Sequence, residues 1–336
     1  MALQPRASGE LIVKLAKHLK VNGSGVDKLC RAVLEGLKSK EIDVENFSQH
    51  EFHPKPEDPK CLNWLFLIDT LNFCFWTPGN ATKWRVEGQT GYFALCAAIN
   101  RARKAGEDIT NPEYYVKLDV EDLERILRCD DGETKAPLIQ ERVKCLKEVG
   151  QTLLEKYGGN FENCVKQSGK SAEKLLQMIV EDFPCFRDEA SYEGQRVAIY
   201  KRAQILIGDI WACFRGEGIG EFPDIGKITM FADYRVPQVL VHFGALEYNE
   251  DLMKRLKSDE ILENGSEAEV EIRGASIFIV EELKDKVLAE IREKKLEIST
   301  KNVNSVLLDH FLWDYRRRHA AELEYIPFHK TYSVFY

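Results

Sequence analysis

The sequence lacks an excess of basic residues. Its 336 residues include 47 lysines and arginines against 55 aspartates and glutamates, so the formal net charge at pH 7 is -8. A protein that binds many phosphates of a nucleic-acid backbone usually carries a basic face. The charge therefore argues against a nucleic-acid duplex as partner. A small ligand with a single phosphate remains compatible with it.

The sequence also lacks the cysteine spacing of a zinc site or a disulfide scaffold. Its nine cysteines are odd in number, and none forms a C-x-x-C pair. Several lie inside apolar runs, as Cys74 and Cys96 do, where reduced and buried thiols are expected. No run reaches about 18 apolar residues, and the first residues contain no apolar signal core. These absences predict a cytoplasmic protein with no membrane partner.

Common catalytic signatures are missing as well. The sequence contains no H-E-x-x-H, no phosphate-binding loop with its lysine and no G-x-S-x-G. The glycines at 216, 218 and 220 lack the strand–loop–helix context of a dinucleotide-binding fingerprint. We therefore expect no metal.

What the sequence does contain is helical periodicity over most of its length. It is 44% hydrophobic and 30% charged, as soluble globular proteins are. Short extended pieces are expected at 83–87 and 228–231, and a loop at 42–59. The predicted fold class is mainly α, in a single domain over residues 1–336, and two lobes with the site between them is the alternative left open. Helical spacing predicts helices at 10–20, 26–39, 90–105, 119–127, 137–157, 171–180, 194–214, 251–255, 268–294 and 302–318.

The most informative segment surrounds Asp233, where an apolar run ends and Pro237 soon follows. Proline suits the first turn of a helix, and the residue before it avoids the α region, so we expect a helix over about 237–246. Asp233 would then lie beside a helix N-terminus. Two interpretations stay open: a helix cap, and a reactive carboxylate beside Phe231 and Tyr234 that stabilises positive charge.

A second group of polar residues interrupts an apolar stripe near the end of the chain. His310 and Asp314 are four residues apart, as are Asp309 and Trp313, so each pair shares a helix face. The two acids could accept N–H donors from a ligand. The alternative is a surface pair, which is the commoner case.

Two further candidates lie elsewhere. His50 falls in the expected loop, where binding residues concentrate, although a solvent-exposed histidine is the simpler interpretation. Lys201 and Arg202 lie in an otherwise apolar helical pattern and could meet a phosphate. Charges that extend from a helix edge into solvent are the commoner reading of such a pair.

Together these segments resemble the queuosine salvage family, the queuosine 5'-phosphate N-glycosylase/hydrolases. The matching motifs occur in order along nearly the whole chain. They are Phe47-Ser-Gln-His50, Leu62-Asn-Trp-Leu-Phe-Leu-Ile-Asp-Thr-Leu-Asn72 with Phe75-Trp76, Tyr200-Lys-Arg-Ala-Gln204, Thr229-Met-Phe-Ala-Asp-Tyr-Arg-Val-Pro-Gln238 and Leu308-Asp-His-Phe-Leu-Trp-Asp314.

The resemblance implies a helical fold related to the DNA glycosylases. It also implies release of the base queuine from queuosine 5'-phosphate, for salvage into tRNA modification, without a metal or cofactor. By position, Asp233 is similar to the reactive carboxylate of the family. His50, Phe231, Asp309 and Asp314 are similar to residues of its base pocket.

This reaction also needs a basic group for the 5'-phosphate, and Lys201, Arg202 and Arg235 are the candidates. The loop at 222–226 departs from the glycine-rich hairpin of DNA glycosylases, which with the acidic charge argues against duplex DNA. The competing functions are a DNA or other nucleoside glycosylase and a helical interaction protein without enzymatic activity.

Overall fold

The computed structural model describes residues 2–79 and 81–336. Within them the chain is 55% helical, with 15 α-helices, and its strands form three separate two-stranded antiparallel pairs. The predicted mainly α fold class is confirmed, whereas the relation to the DNA glycosylases stays a prediction. Across the described residues, no helix combines the length and the apolar character that crossing a bilayer requires.

The helices follow one another with short connections. In chain order they are α1 Pro5–Leu15, α2 Gly23–Lys38, α3 Glu45–Gln49, α4 Cys61–Leu71, α5 Tyr92–Lys104, α6 Pro112–Tyr115, α7 Val120–Ile126, α8 Ile139–Tyr157, α9 Phe161–Gln167, α10 Ala172–Asp182, α11 Lys201–Cys213, α12 Val236–His242, α13 Glu250–Lys257, α14 Glu267–Glu293 and α15 Ser305–Arg318.

The strands are two to four residues long. Strand β1 (Leu19–Val21) pairs with β6 (Leu246–Tyr248), so that Leu19 faces Tyr248. The other two pairs are hairpins between neighbours in the chain. They are β2 (Arg85–Val86) with β3 (Gln89–Thr90), and β4 (Glu189–Tyr192) with β5 (Gln195–Ala198).

The chain divides into two compact units. Unit 1 contains residues 1–46, 188–205 and 225–332, and unit 2 contains 47–187, 206–224 and 333–336. The prediction of one domain over the whole chain stays a prediction.

Helix α14 is the central helix of unit 1. From residue 268 to 277 every position is buried, including the charged Glu269, Glu271 and Arg273. A helix buried on all faces must pair its charges internally. Helix α1 packs against α14 at very short range, since a methyl group at Gly274 would collide with Ile12. The charged residues of α14 thus lie inside the packed body of the unit.

Unit 2 is organised around α4, which is buried over almost all its length. Its C-terminal end is held by Arg142 of α8, whose guanidinium donates to the carbonyl oxygens of Leu71 and Phe73. The buried Asn72 donates to Asp69 at 3.1 Å. All nine cysteines are buried and none is bonded to another, so their predicted burial is confirmed.

The helix predicted over 194–214 is wrong in its first part. Residues Gln195–Ala198 form β5, and α11 begins only at Lys201. Glu193 and Gly194 between the strands have φ of 47° and 75°. Two left-handed residues are the signature of a tight hairpin turn, which helical periodicity does not detect.

Smaller corrections concern element boundaries. Helix α1 begins at Pro5 rather than at residue 10, and the end of the predicted helix is strand β1, which is fixed by its pairing with β6. The loop predicted over 42–59 contains the short α3. Helix α12 ends at His242 because Gly244, with φ of 73°, turns the chain.

Candidate functional site

The segment that leads to Asp233 is held by side chains rather than by a neighbouring strand. Gln204 accepts the N–H of Thr229 at 2.9 Å, and Asp309 accepts the N–H of Phe231 at 3.0 Å. The Nε of Arg273 donates to the carbonyl oxygen of Ala232 at 3.0 Å. The expected extended piece at 228–231 therefore has no strand partner among the described residues. Its backbone is nevertheless fixed, because its buried N–H and carbonyl groups are paired with the side chains of Gln204, Asp309 and Arg273.

Asp233 follows this segment, and its two carboxylate oxygens have different surroundings. Oδ1 accepts the backbone N–H of Arg235 at 2.8 Å and that of Val236 at 2.9 Å, at the start of α12. Oδ2 has no hydrogen-bond partner among the described residues, and the side chain is partly accessible to solvent. The helix-start geometry expected from the sequence is present, and one oxygen remains available to a ligand.

Burial and the neighbouring positive charges have opposite effects on the pKa of this carboxylate. Burial by the surrounding protein raises the pKa of Asp233 above its ordinary value. The Lys201 ammonium, the two backbone N–H groups and the Arg235 guanidinium act in the other direction on the same pKa. A carboxylate that is poorly solvated yet reachable is well placed to stabilise positive charge on a bound molecule.

Lys201 and Arg202 begin α11 and are both buried. The interpretation of these charges as extending into solvent is therefore wrong. The backbone N–H of Lys201 donates to Asp188 at 3.1 Å. Tyr200, just before the helix, has φ of 51°, which is strained for a non-glycine residue. The helix start is thus a constrained part of unit 1.

The polar residues of α15 differ in their surroundings. The helix begins at Asn304, whose side chain accepts the N–H of Leu307. Asp309 is buried, and one of its oxygens serves Phe231 as described above. Asp314 keeps an accessible surface, yet the protein around it raises the pKa of its carboxyl. Burial lowers the pKa of His310 to about 4, so this imidazole is neutral at pH 7.

The aromatic residues beside Asp233 face different partners. The ring of Phe231 is buried, with its centroid 6.0 Å from that of His310. The ring of Tyr234 packs on Phe328 at 5.4 Å. The Arg235 guanidinium lies 4.1 Å from the centre of the same Phe328 ring. The Tyr234 ring thus has a protein neighbour on one side.

A second arginine, which sequence reasoning missed, lies close to Arg235. Arg316 Nε donates to Gln238 Oε1 at 2.8 Å, and Arg235 Nη1 donates to the same oxygen at 3.3 Å. Burial and the charge of Arg235 lower the pKa of Arg316 to about 10. Neither guanidinium has an ion-pair partner in the described part of the chain. The carboxylates of Glu324 and Asp233 act on Arg316 only through their charge, without direct ion pairing. Two half-buried cations that share one amide oxygen form a favourable place for an anion.

His50 belongs to unit 2. Its ring stacks on Phe93 with centroids 4.1 Å apart and planes 10° apart, and its Nδ1 accepts the N–H of Phe52 at 3.3 Å. It is partly buried, so the interpretation of a freely exposed histidine does not hold. Its assignment to a base pocket stays a prediction.

One group in the described residues has the chemistry of metal ligands. His18, Glu267 and Glu271 offer atoms within 4.8 Å of one another. Glu271 already accepts the backbone N–H groups of Lys17 and His18 and the hydroxyl of Tyr192. The Lys17 ammonium lies 3.2 Å from Glu267. This group is explained as an ion network, and the expected absence of a metal stays a prediction.

The residues that reasoning from the sequence missed are charged groups that act within the protein. Arg273 and Asp188 form a buried ion pair, with Nη2 and Oδ2 at 2.6 Å. The local signal was two charged residues, Glu271 and Arg273, inside the otherwise largely apolar stretch Val270 to Ile279. Arg316 could not be identified from the sequence, because spacing within α15 does not show that Arg235 lies near it.

The sequence is similar to that of a known protein family over most of its length. Residues 52–336 match the family described as "Queuosine salvage protein". Proteins from Mus musculus and Bos taurus, both named "Queuosine 5'-phosphate N-glycosylase/hydrolase", are 46% and 44% identical to this chain, and each alignment covers 99% of both chains. A protein of the same name from Sphaerobacter thermophilus is 35% identical over 90% of both chains.

Proposed function

Because this chain belongs to the queuosine salvage protein family, we propose that it hydrolyses the N-glycosidic bond of queuosine 5'-phosphate and releases queuine for salvage into tRNA modification. The observation that carries the proposal is the arrangement of Asp233. Its backbone is held by buried side chains, one oxygen is anchored at α12, and the other is available beside the Lys201 charge.

In the proposed reaction, the bond between the ribose anomeric carbon and the base nitrogen breaks, and its electron pair leaves with the base. Positive charge grows on the ribose, and Asp233 Oδ2 stabilises it directly or by a transient covalent bond. Water supplies the new oxygen at the anomeric carbon and a proton for the base. The products are queuine and ribose 5-phosphate.

The leaving base sets the second requirement. Queuine is a 7-deazapurine, so protonation at N7, the usual route for purines, does not apply. Its side-chain ammonium suits a carboxylate, and Asp314 is better placed for it than Asp309, because Asp309 already accepts the N–H of Phe231. His310 is neutral and can offer one N–H donor or one acceptor. Together with Phe231, these residues of unit 1 are the proposed base pocket.

We propose further that Arg235 and Arg316 hold the 5'-phosphate. Their positive charges repel one another across the shared Gln238 oxygen, and a phosphate between them would remove this repulsion and accept charge-assisted hydrogen bonds. Lys201 remains a proposed substrate-binding residue through its charge beside Asp233. His50 of unit 2 remains a proposed base-pocket residue.

We also propose that the protein acts in the cytoplasm on this small molecule, with no cofactor, duplex nucleic acid or membrane as partner. The nine buried free thiols fit a reducing compartment. The acidic net charge of -8 fits a small ligand rather than a nucleic-acid backbone.

Chromatography of the free base tests the proposed function. The purified protein should release queuine from queuosine 5'-phosphate, with guanosine monophosphate and queuosine as comparison substrates. Asp233→Asn should lower turnover by about a thousand-fold or more, as the loss of a reactive carboxylate does. Asp119→Asn is the matched control, because Asp119 only caps α7. Near-normal release by Asp233→Asn would exclude Asp233 as the reactive group.

The variant should also fold. Burial disfavours the ionised form of Asp233, as its raised pKa indicates, and a neutral asparagine keeps an oxygen for the two N–H donors of α12. We therefore expect the thermal unfolding midpoint of Asp233→Asn at neutral pH to equal or exceed that of the wild type. A loss of activity with a lower midpoint would indicate a structural role instead.

A further inference from the structure

We propose that the buried ion pair between Asp188 and Arg273 is a positioning device that holds Asp233 and Lys201 next to each other. This inference rests on the function proposed above. Neither residue of the pair belongs to the motifs that carry the family resemblance, and neither needs to touch the substrate.

Arg273 reaches the Asp233 side of the site. Its Nη1 and Nη2 donate to Asp188 Oδ1 and Oδ2 at 3.0 and 2.6 Å, so the pair is bidentate. Its Nε donates to the carbonyl oxygen of Ala232 at 3.0 Å, one residue before Asp233. One rigid planar group therefore ties the peptide before Asp233 to a carboxylate that lies 85 residues away from Arg273 in sequence.

Asp188 reaches the Lys201 side. Its Oδ2 accepts the N–H of Lys201 at 3.1 Å, in addition to the bond from Arg273. Its backbone carbonyl accepts the N–H of Ile199 at 3.0 Å and that of Tyr200 at 3.3 Å. The start of α11 is thus bound to Asp188 by three backbone N–H groups.

The strain at Tyr200 shows that this helix start is imposed. A non-glycine residue with φ of 51° costs of order 1–3 kcal/mol and persists only when its surroundings determine it. Here the surroundings are the Asp188 carbonyl and Glu189, which accepts the Tyr200 hydroxyl at 2.5 Å. The backbone is held in an unfavourable conformation at the residue directly before Lys201.

Stability alone does not account for the ion pair. Replacement of a buried ion pair by well-packed apolar residues is often neutral or stabilising. Apolar residues could fill the volume, but they could not hold the Ala232 carbonyl and the Lys201 N–H at the same time. The property that only the charged pair supplies is the fixed relation between these two backbone points.

The charged groups near Asp233 show how a loss of the ion pair would change the pKa of Asp233. Asp233 is influenced by Lys201 and Arg235, and its charge in turn acts on Arg316 of α15. Lys201 is the largest influence that favours the ionised form of Asp233. Displacement of Lys201 would therefore raise the pKa of Asp233 further.

Arg273 has charged or titratable neighbours of its own. Besides Asp188 they include Glu269, at 3.2 Å, and His329, whose pKa the Arg273 charge helps to lower. His329 is neutral near pH 7, so it adds no charge of its own to the pair at that pH. Glu269 leaves Arg273 with one carboxylate if Asp188 loses its charge.

Arg273→Lys and Asp188→Asn are the variants that test this proposal. Lysine keeps the charge but has no planar fork and no Nε–H, and asparagine keeps the shape but weakens the pair. We expect kcat for queuosine 5'-phosphate to fall by about 10- to 100-fold with KM changed by less than about 3-fold, as loss of supporting contacts typically gives. The acid limb of the kcat profile should move to higher pH in both variants.

Lys284→Met is the matched control. Lys284 lies on the same helix, about three turns after Arg273, is buried, and pairs with Glu281 at 2.6 Å. This variant should lower the thermal unfolding midpoint but keep the wild-type kcat and acid limb, all measured well below the midpoint. Glu281 retains Arg6 and Ser305 as partners, so the control variant should fold.

The outcomes separate the two proposals. If wild type and Lys284→Met release no queuine, the proposed function fails. If they release it and the two test variants differ from Lys284→Met only in stability, the positioning role is wrong and the function stands. If Arg273→Lys does not fold, Asp188→Asn, which leaves Arg273 with Glu269 at 3.2 Å, decides the same question.

Discussion

At the scale of single residues, the two oxygens of Asp233 do different things. Oδ1 satisfies two N–H groups at the start of α12, and Oδ2 is left for a ligand. Cap and reactive carboxylate were competing interpretations of this residue in the sequence. The geometry makes them compatible, because a carboxylate that is anchored through one oxygen presents the other in a fixed direction.

Arg316 allows a test of the proposed phosphate contact. Arg316→Gln should lower kcat/KM for queuosine 5'-phosphate by about 10- to 100-fold, since a hydrogen bond to a charged group contributes about 1.5–3 kcal/mol. Release from queuosine, which has no phosphate, should change little. Both values come from steady-state kinetics with the two substrates.

Arg318→Gln is the control for this change. Arg318 lies on the same helix and pairs with Glu41 at 2.9 Å, with both side chains about half exposed. Such surface pairs contribute little, so this variant should keep wild-type kinetics. Equal losses for Arg316→Gln on both substrates would contradict a phosphate contact.

At the scale of elements, close backbone approach decides where helices can lie. Gly25 in α2 packs directly on the backbone of Gly244 and Ala245, which follow α12. A methyl group at Gly25 would overlap with this backbone. At Gly23, two residues earlier, a methyl group would meet no atom within 4 Å.

Substitution of these two glycines by alanine should have opposite effects on the free energy of unfolding. Gly25→Ala should lower the free energy of unfolding by about 3 kcal/mol or more, because backbone cannot move aside as a flexible side chain can. Gly23→Ala should raise it by about 0.4–1 kcal/mol, through the lower entropy of the unfolded chain. Urea unfolding followed by circular dichroism measures both. Similar midpoints for the two variants would show that α2 does not pack this closely on residues 244–245.

At the scale of the whole molecule, buried histidines link stability to pH. Burial lowers the pKa of His329 to about 3 and that of His310 to about 4, from 6.5. Between the lowered pKa of each histidine and 6.5, the unfolded chain binds a proton that the folded protein does not. Unfolding is therefore favoured as the pH falls from about 6.5 to about 4. The raised pKa values of Asp233 and Asp314 act with the opposite sign.

Acid destabilisation should accordingly be smaller without His329. Each buried neutral histidine contributes a slope of up to about 1.4 kcal/mol per pH unit in this window. His329→Gln should reduce the slope of unfolding free energy against pH between 6.5 and 4.5, whatever its effect at pH 7.5. Urea unfolding at four pH values measures the slope. An unchanged slope would mean that His329 does not remain neutral in the folded protein.

Local patterns in the sequence predicted the parts of the protein that depend on near neighbours. Helical spacing located α2, α5, α8 and α14 to within a few residues, because an amphipathic or buried helix repeats its apolar residues regardless of its partners. The rules for proline placed a helix start just after Asp233. Apolar runs around the cysteines indicated buried thiols.

The same reasoning failed where the structure depends on residues far apart in the chain. Strand β1 exists because it meets β6, and the backbone of Phe231 is held by Asp309, 78 residues later. No spacing within a segment carries this information, because such contacts form only when the packed core brings the two segments together.

By itself the sequence determined the helical class, the candidate carboxylate and the motifs of the queuosine salvage family. Only the tertiary structure decided which atoms surround Asp233. The Arg273 guanidinium reaches the Ala232 carbonyl across 41 residues, and Arg316 and Arg235 meet at one oxygen of Gln238. The physical reason is burial: a charged group removed from water must find its partners in space, wherever in the chain they lie.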